Sequence, residues 1–272
     1  MGKLVFIGLG LFTGDLPYRA VEVIRRADAV FIELYTTVLP QDYIEYLIKI
    51  TGRSDFKILT RSDLEDRGGE DVLEVAAKGL AVLLVGGDPF VATTHMALRV
   101  EAERRGIETE VIHSSSIISA IAGATGLHVY KFGRCVTLVY PQPEVGYIPY
   151  STYEVILENI ERGLHTLVLL DYRHEEGRAM TIPEAVSILL WLEERLGVEK
   201  SIRDRVAVGA ARVGWSTEFV RADTLANLRE VDFGAPPHVL VITGDLHPTE
   251  VEALEVLCHL PRELAIKLLR RR

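Results

Sequence analysis

The residues best suited to chemistry are Gly86-Gly87-Asp88-Pro89, directly after the apolar run Leu80 to Val85. The run predicts a buried parallel strand, and the two glycines let a ligand or another backbone come close. Asp88 and Pro89 are typical of a helix start, with Asp88 as N-cap and Pro89 as first helical residue. A strand, a glycine turn and a carboxylate at a helix N-terminus form a common ligand site in open α/β sheets. An Asp88 that only caps its helix is an equally good interpretation.

A second glycine turn follows the first apolar run. Gly8-x-Gly10 with Gly14 misses the dinucleotide fingerprint by one residue, because the third glycine would have to replace Thr13. Glu33 ends the second apolar run, where a ribose-binding carboxylate would stand. A dinucleotide site is therefore one interpretation. Together with Asp88, the two glycine turns also suit a nucleoside that carries an amino acid.

The other polar residues give weaker signals. Ser114 to Ser116 are interpreted as a helix cap, and Asp171 as a strand-end carboxylate that faces either a ligand or solvent. No Gly-x-Ser-x-Gly is present, so no serine nucleophile is predicted. His238 is singled out because Pro236-Pro237 precedes it at a strand start. The eight histidines lack metal-ligand spacing, so no metal site is predicted, and the remaining seven are interpreted as structural or surface groups: His95, His113, His128, His165, His174, His247 and His259.

Apolar runs and helical periodicity predict the elements that position these residues. Strands are predicted at 4–7, 29–34, 57–59, 80–85, 110–113, 136–140, 166–171, 207–211 and 238–243. Helices are predicted at 16–27, 43–50, 70–78, 90–105, 153–162, 182–196, 224–231, 249–257 and 262–272, with a closely packed helix or a ligand-facing segment at 114–124. This alternation predicts an α/β protein with a parallel sheet covered by helices on both faces. The domain boundary is placed at the serine run, giving an N-terminal α/β domain at 1–113 and a C-terminal α/β domain at 114–272.

Composition limits the possible functions. The chain has 272 residues, 48% of them apolar and 25% charged, as in soluble globular proteins. The formal charge of -9 argues against nucleic-acid binding. Cys135 and Cys258 are too few for a disulfide framework, and no apolar stretch reaches the roughly 18 residues of a membrane span. A cytoplasmic protein without a signal peptide is predicted.

Five strings of the sequence resemble the diphthine synthase family, methyltransferases within the tetrapyrrole methylase superfamily. They occur in the family's order and span nearly the whole chain. The glycine turn and Gly-Asp-Pro are signals of the superfamily, whereas Gly-Leu-His-x-Tyr-Lys-Phe-Gly and Pro-Pro-His indicate this member. The strings are FIGLGL at 6–11, GDPFVATTH at 87–95, GLHVYKFG at 126–133, RGLHTL at 162–167 and DFGAPPH at 232–238.

The resemblance implies two α/β domains with a cleft between them for S-adenosylmethionine, which leaves as S-adenosylhomocysteine, and a homodimer. The acceptor would be translation elongation factor 2, whose aminocarboxypropyl-modified histidine is methylated repeatedly on its amino nitrogen to give diphthine. One departure is Leu16-Pro17, where the superfamily has Leu-Thr, so the first helix is expected to begin differently. The cofactor contacts implied by position are Leu11, Asp88, Val91, Ser116, Ile117, Leu170, Val213 and His238.

Methyl transfer from a sulfonium is a direct displacement, so alignment matters more than a nucleophile of the enzyme's own. This agrees with a chain that shows neither a triad nor a metal motif. Main-chain groups of the two glycine turns are expected to hold the cofactor, with Asp88 as a hydrogen-bond acceptor. The residues assign no catalytic base. Two alternatives stay open: methylation of a corrin-type small molecule, and a dinucleotide-binding regulatory module that would bind NAD instead.

Overall fold

The structure, a computed structural model, describes residues 2–197 and 201–270. The chain divides into two compact units, which are described separately. The first comprises Met1–Ile117 with His174–Gly177, and the second comprises Ile118–Arg173 with Arg178–Arg272. The domain boundary predicted from the sequence at residue 113 lies four residues before Ile117, where the first segment of the first unit ends. The division into two domains stays a prediction.

The first unit is built on a five-stranded sheet. Its strands are β1 (Lys3–Gly8), β2 (Ala29–Glu33), β3 (Phe56–Leu59), β4 (Leu80–Val85) and β5 (Glu108–Ile112). Every pairing is parallel, and the strand order is β3-β2-β4-β1-β5. Because β1 lies between β4 and β5, the loops that leave the carboxyl ends of these three strands are neighbours.

Helices cover both faces of this sheet. They are α1 (Tyr18–Arg26), α2 (Tyr43–Thr51), α3 (Arg61–Leu64), α4 (Glu70–Lys78) and α5 (Met96–Arg104). Successive residues of β1 point to opposite faces: Phe6 packs in one apolar cluster with α4 and α5, and Ile7 in another with α1 and α2. The predicted parallel sheet with helices on both faces is confirmed for this unit.

The segment between β4 and α5 corrects the sequence prediction. The helix predicted to begin at residue 90 begins at Met96, so Asp88 caps no helix and Pro89 is not a first helical residue. Instead the Asp88 carboxylate accepts the N–H of Phe90 at 3.1 Å, which folds the chain into a local turn. Ala92 then has a φ of 56°, incompatible with a right-handed helix. The Pro89–His95 segment is an irregular loop.

The second unit contains the remaining elements. Its strands are β6 (Val136–Leu138), β7 (Thr166–Leu170), β8 (Tyr172–Arg173), β9 (Arg178–Ala179), β10 (Val206–Ala211), β11 (Phe219–Thr224) and β12 (His238–Ile242). The helices are α6 (Ile117–Thr125, whose first residue belongs to the first unit), α7 (Tyr150–Glu161), α8 (Ile182–Leu196), α9 (Leu225–Leu228), α10 (Pro248–Leu257) and α11 (Arg262–Arg270). Short 3-10 turns occupy Val129–Lys131 and Pro143–Val145 in this unit, and a third, His174–Glu176, belongs to the first unit.

The main sheet of the second unit differs from the predicted parallel sheet. Its order is β11-β10-β12-β7-β6, and only β6 and β7 pair in parallel. The sequence prediction missed β11 and assigned residues 224–231 to a helix, of which α9 forms four residues. The helix predicted at 262–272 extends over Arg262–Arg270, and residues 271 and 272 lie outside the described ranges. In the described part of the chain, no helix combines the length and apolarity that a membrane span requires.

Candidate functional site

Two glycine turns at the carboxyl edge of the first sheet are joined to each other. The N–H of Gly10 donates to the carbonyl of Gly87 at 3.0 Å, and the N–H of Gly87 donates to that of Gly10 at 2.9 Å. Gly10 has a φ of 77°, and a Cβ there would lie 2.2 Å from the Cβ of Asp15. Only glycine therefore allows this close pairing of the two loops.

A polar contact connects the β1 loop to the serine run after β5. The N–H of Leu11 donates both to Asp15 Oδ2 and to Ser115 Oγ, each at 3.0 Å. The Ser115 hydroxyl donates to the same carboxylate oxygen at 2.5 Å. The N–H groups of Gly10, Leu11 and Gly87 already donate hydrogen bonds within the protein. These loops therefore present hydrogen-bond acceptors to a ligand rather than these amide donors. Ser115 of the serine run thus holds the loop after β1 in place.

Asp88 is the buried carboxylate of this edge, with 8% of its surface exposed. One oxygen accepts the Phe90 N–H, and the other accepts from His113 Nδ1 at 2.7 Å. The His113 side chain is 71% exposed, so the pair reaches the surface. A carboxylate oxygen has more than one acceptor position, so Asp88 can take a further donor from a ligand.

The structure brings together the five predicted cofactor contacts of the first unit. They are Leu11 after β1, Asp88 and Val91 after β4, and Ser116 and Ile117 after β5. Val91 donates its N–H to the carbonyl of Asp88 at 3.2 Å, and Ser116 is 8% exposed. All five follow the carboxyl ends of three adjacent parallel strands, where ligands bind in open α/β sheets.

The three predicted contacts of the second unit also lie at one sheet edge. Leu170 ends β7, Val213 follows the end of β10, and His238 begins β12. Because β12 is antiparallel to both neighbours, its first residue lies beside their last ones, and His238 pairs with Ala211. Within each unit, the cofactor contacts predicted from the sequence therefore lie at one edge of the sheet.

His238 is held as a neutral imidazole with one nitrogen unused. Its Nδ1 accepts the N–H of Ile182 at 3.3 Å. Burial, and next the charge of Arg212, lower the pKa of His238 below its usual value, so the ring is uncharged at pH 7. The proton then resides on Nε2, which is buried without a hydrogen-bond partner. A buried donor of this kind suits an acceptor on a ligand.

A second group of buried polar residues in the first unit was missed by sequence reasoning. Glu33, Tyr35 and His95 are each at most 3% exposed. The carboxylate of Glu33 is engaged by its own loop, including the N–H of Tyr35 at 3.1 Å, so it is not arranged to bind a ribose. The sequence did contain a signal for this group, because Glu33 ends an apolar run and His95 ends the string GDPFVATTH at 87–95.

A third polar group lies in the second unit around Glu250, which is fully buried. Lys131 Nζ donates to Glu250 Oε2 at 2.7 Å, and His165 Nε2 donates to Oε1 at 3.0 Å. Burial raises the pKa of Glu250, but the hydrogen bonds, first that of Lys131, lower it to about 2. The histidines and the lysine of the strings at 126–133 and 162–167 thus hold a structural ion cluster together.

The chain is similar to known proteins over nearly its whole length. Residues 3–229 match the family described as Tetrapyrrole (Corrin/Porphyrin) Methylases. The chain is 44% identical to the diphthine synthase of Staphylothermus marinus over 262 residues, 96% of each chain. It is 42% identical to that of Methanosphaerula palustris, covering 94% of this chain and 99% of that protein. A crystal structure of a diphthine synthase superposes with a TM-score of 0.86 at 38% identity, covering 97% of this chain and 99% of that one.

Proposed function

Because the chain belongs to the tetrapyrrole methylase family, and within it to the diphthine synthases, we propose that it transfers methyl groups from S-adenosylmethionine in diphthamide biosynthesis. The observation that carries this proposal is the identity of 44% to a diphthine synthase, since it extends over 96% of this chain and so over both units. The same identity disfavours the corrin-type alternative, and the occupied carboxylate of Glu33 disfavours the dinucleotide one.

The hydrogen-bond acceptors of the candidate site fit S-adenosylmethionine. This cofactor presents an ammonium, ribose hydroxyls and an adenine amino group, all of which need acceptors. The first unit supplies the Asp88 carboxylate and the carbonyls of loops whose amides are occupied. A side chain at Gly87 would meet nothing nearer than 4.0 Å, so that loop leaves room for a ligand. The bound cofactor supplies an electrophilic methyl group.

The remaining proposed contacts orient and enclose the cofactor. Val91, Ile117 and Leu170 are half-buried apolar residues that can cover an adenosyl group, and Val213 is buried. Ser116 is buried where α6 begins. His238 offers the buried Nε2–H to an acceptor atom. The chain's own task is to hold the sulfonium and the acceptor nitrogen in line and to keep water away.

The proposed acceptor is translation elongation factor 2, at the amino group of its aminocarboxypropyl-modified histidine, which is methylated repeatedly to give diphthine. A cytoplasmic homodimer without nucleic-acid or membrane partners is proposed with it. The net charge of -9 supports a protein acceptor over a nucleic-acid one.

The test is intact mass spectrometry of elongation factor 2 that carries the aminocarboxypropyl group, after incubation with this protein and S-adenosylmethionine. We expect mass gains in whole methyl units, which also count the methyl groups, and no gain on unmodified factor. No gain with a verified acceptor, together with S-adenosylhomocysteine binding, would refute the acceptor and retain the methyltransferase. If NAD rather than S-adenosylhomocysteine raises the melting temperature, the dinucleotide interpretation replaces the proposal.

A further inference from the structure

The group formed by Glu33, Tyr35 and His95 contains an unusual number of unsatisfied polar atoms. Among the described residues, four buried side-chain N or O atoms lack a hydrogen-bond partner, and three of them are Tyr35 Oη and the two ring nitrogens of His95. Leaving such atoms unpaired is costly, so they concentrate where a ligand or a proton completes the site. Core packing alone gives no reason for a histidine here.

Glu33 is fixed beside the histidine. Its carboxylate accepts the N–H groups of Tyr35 and Thr36, both at 3.1 Å, and the Thr36 hydroxyl at 2.5 Å. With these three donors the carboxylate is fixed in place. His95 Nε2 lies 3.6 Å from Glu33 Oε1. A carboxylate attracts the protonated nitrogen of an imidazole, so the neutral ring carries its proton on Nε2 and keeps a lone pair on Nδ1.

This group adjoins the candidate cofactor site. His95 ends the same irregular loop that begins with Gly87 and Asp88. The segment after Glu33 packs on that loop, because a Cβ at Gly86 would lie 2.0 Å from Thr37 Cγ2. Thr94 and Met96, the chain neighbours of His95, are both exposed. The loop is therefore exposed on both sides of the buried His95 side chain.

We propose that His95 accepts the proton that the acceptor amine must lose before each methyl transfer, and that Glu33 is the positioning residue that keeps Nδ1 free for it. This inference rests on the proposed function. The ammonium of the acceptor gives one proton to Nδ1. Its nitrogen lone pair then forms the N–CH3 bond while the C–S bond breaks toward sulfur, leaving neutral S-adenosylhomocysteine. The proton departs from the imidazole to solvent between turnovers.

Several charged and titratable groups surround His95. The titratable groups of the cluster are Glu33 from β2, Tyr35 after it, and Arg61 and Glu65 from α3 and its end; Arg61 lies over the Tyr35 ring at 5.3 Å. Burial, and next the charges of Glu33 and Glu65, raise the pKa of Tyr35, so its hydroxyl stays neutral. The Glu33 carboxylate is buried beside the imidazole. A rate that depends on a general base rises with pH and then levels off, so the wild type should show such a profile.

The experiment compares His95→Gln with the wild type and with His259→Asn. His259 is an exposed histidine at φ 54°, a conformation that asparagine tolerates. We expect His95→Gln to lower kcat at pH 7 by about 100-fold while KM and the calorimetric affinity for S-adenosylhomocysteine change by less than about twofold. The variant's rate should continue to rise with pH where the wild type has levelled off, because only amine that is already deprotonated reacts. His259→Asn should match the wild type.

A second measurement does not depend on activity. Nitrogen-15 NMR of the histidine rings in the free wild-type protein should show His95 with its proton on Nε2, and Glu33→Gln should mix the two tautomers. Glu65→Gln removes a neighbouring charge and should leave the tautomer unchanged. A wild-type proton on Nδ1 would overturn the inference even if His95→Gln failed to fold.

The kinetic outcomes separate this inference from the proposed function. If the wild type methylates its acceptor and His95→Gln retains its rate and pH profile, His95 is structural and only the inference fails. If the wild type binds S-adenosylhomocysteine but methylates no elongation factor 2, the proposed acceptor fails, and the role of His95 fails with it.

Discussion

Glu250→Gln should remove a pH-dependent part of the stability of the second unit. The ionised carboxylate receives hydrogen bonds from Lys131, His165 and the backbone N–H groups of His128 and His247. A glutamine keeps the size of the side chain but offers one acceptor in place of two and carries no charge for Lys131. The ion cluster would then leave buried donors unsatisfied.

The size of the effect follows from the pKa of Glu250. A fall from 4.5 to about 2 on folding corresponds to about 3 kcal/mol of stability, at about 1.4 kcal/mol per pKa unit. Because the folded-state pKa is lowered, this stability is present in full above pH 4.5 and is lost as the pH falls toward 2. By pH 3 the unfolded state has bound most of its proton and the folded state little, so about 2 kcal/mol is lost. Burial holds the pKa of His165 below its usual value of 6.5. The folded state therefore also loses stability through this histidine, beginning at a higher pH, as the pH falls below 6.5.

The assay is urea unfolding of the wild type, Glu250→Gln and Glu252→Gln at pH 7, 5, 4 and 3. Glu252 is an exposed glutamate of the same helix and serves as the control. The stability difference between wild type and Glu250→Gln should be largest at pH 7 and shrink by about 2 kcal/mol at pH 3, whereas Glu252→Gln should follow the wild type. A difference that stays constant with pH would refute the assignment of this stability to the ionised carboxylate.

Three further predictions concern the candidate site. Asp88→Ala should weaken S-adenosylhomocysteine binding by about tenfold or more in calorimetry, because a hydrogen bond to a charged group is lost. Asp88→Asn should bind with intermediate affinity. An unchanged affinity of Asp88→Ala would contradict the role of Asp88. His238→Gln should lower the same affinity by about tenfold, since Nε2 has no protein partner, and should cost about 1 kcal/mol of stability through the lost hydrogen bond from Ile182 N–H. A loss of melting temperature without a loss of affinity would show a structural role. Gly86→Ala should lower the stability of the protein by about 1–3 kcal/mol, because it places a methyl group against Thr37. Adding Thr37→Ser removes the contacting methyl group and should restore the stability. A double variant as unstable as Gly86→Ala would contradict the close contact.

Elements with complete local signals were predictable from the sequence. Helix α8 begins with a capping box of Thr181 and Glu184 and ends at Gly197 with a φ of 59°, and its predicted bounds are confirmed. The bounds of α4 and β4 are confirmed as well, since one shows helical periodicity and the other an unbroken apolar run. In these segments the neighbouring residues alone determine the structure.

The failures occur where distant residues decide. Asp88 and Pro89 have the residue types of a helix start, but His113, 25 residues later, binds the carboxylate that would have capped the helix. Strand β11 exists because β10 pairs with it, and no local pattern specifies that pairing. The contact of His95 with Glu33 likewise depends on the neighbouring positions of β2 and β4. Short-range patterns contain none of this information.

The central position of β1 has a consequence during synthesis of the chain. Its two partners, β4 and β5, begin at Leu80 and Glu108. At translation rates of about 5–20 residues per second, roughly 4–15 s pass before β1 can pair with its first neighbour. During that time the apolar run Leu4 to Ile7 lacks its native hydrogen bonds and is open to chaperones or to other nascent chains. Ribosome-bound fragments that end before Leu80 should therefore aggregate, whereas those that include β5 can already complete the sheet that carries the glycine turns.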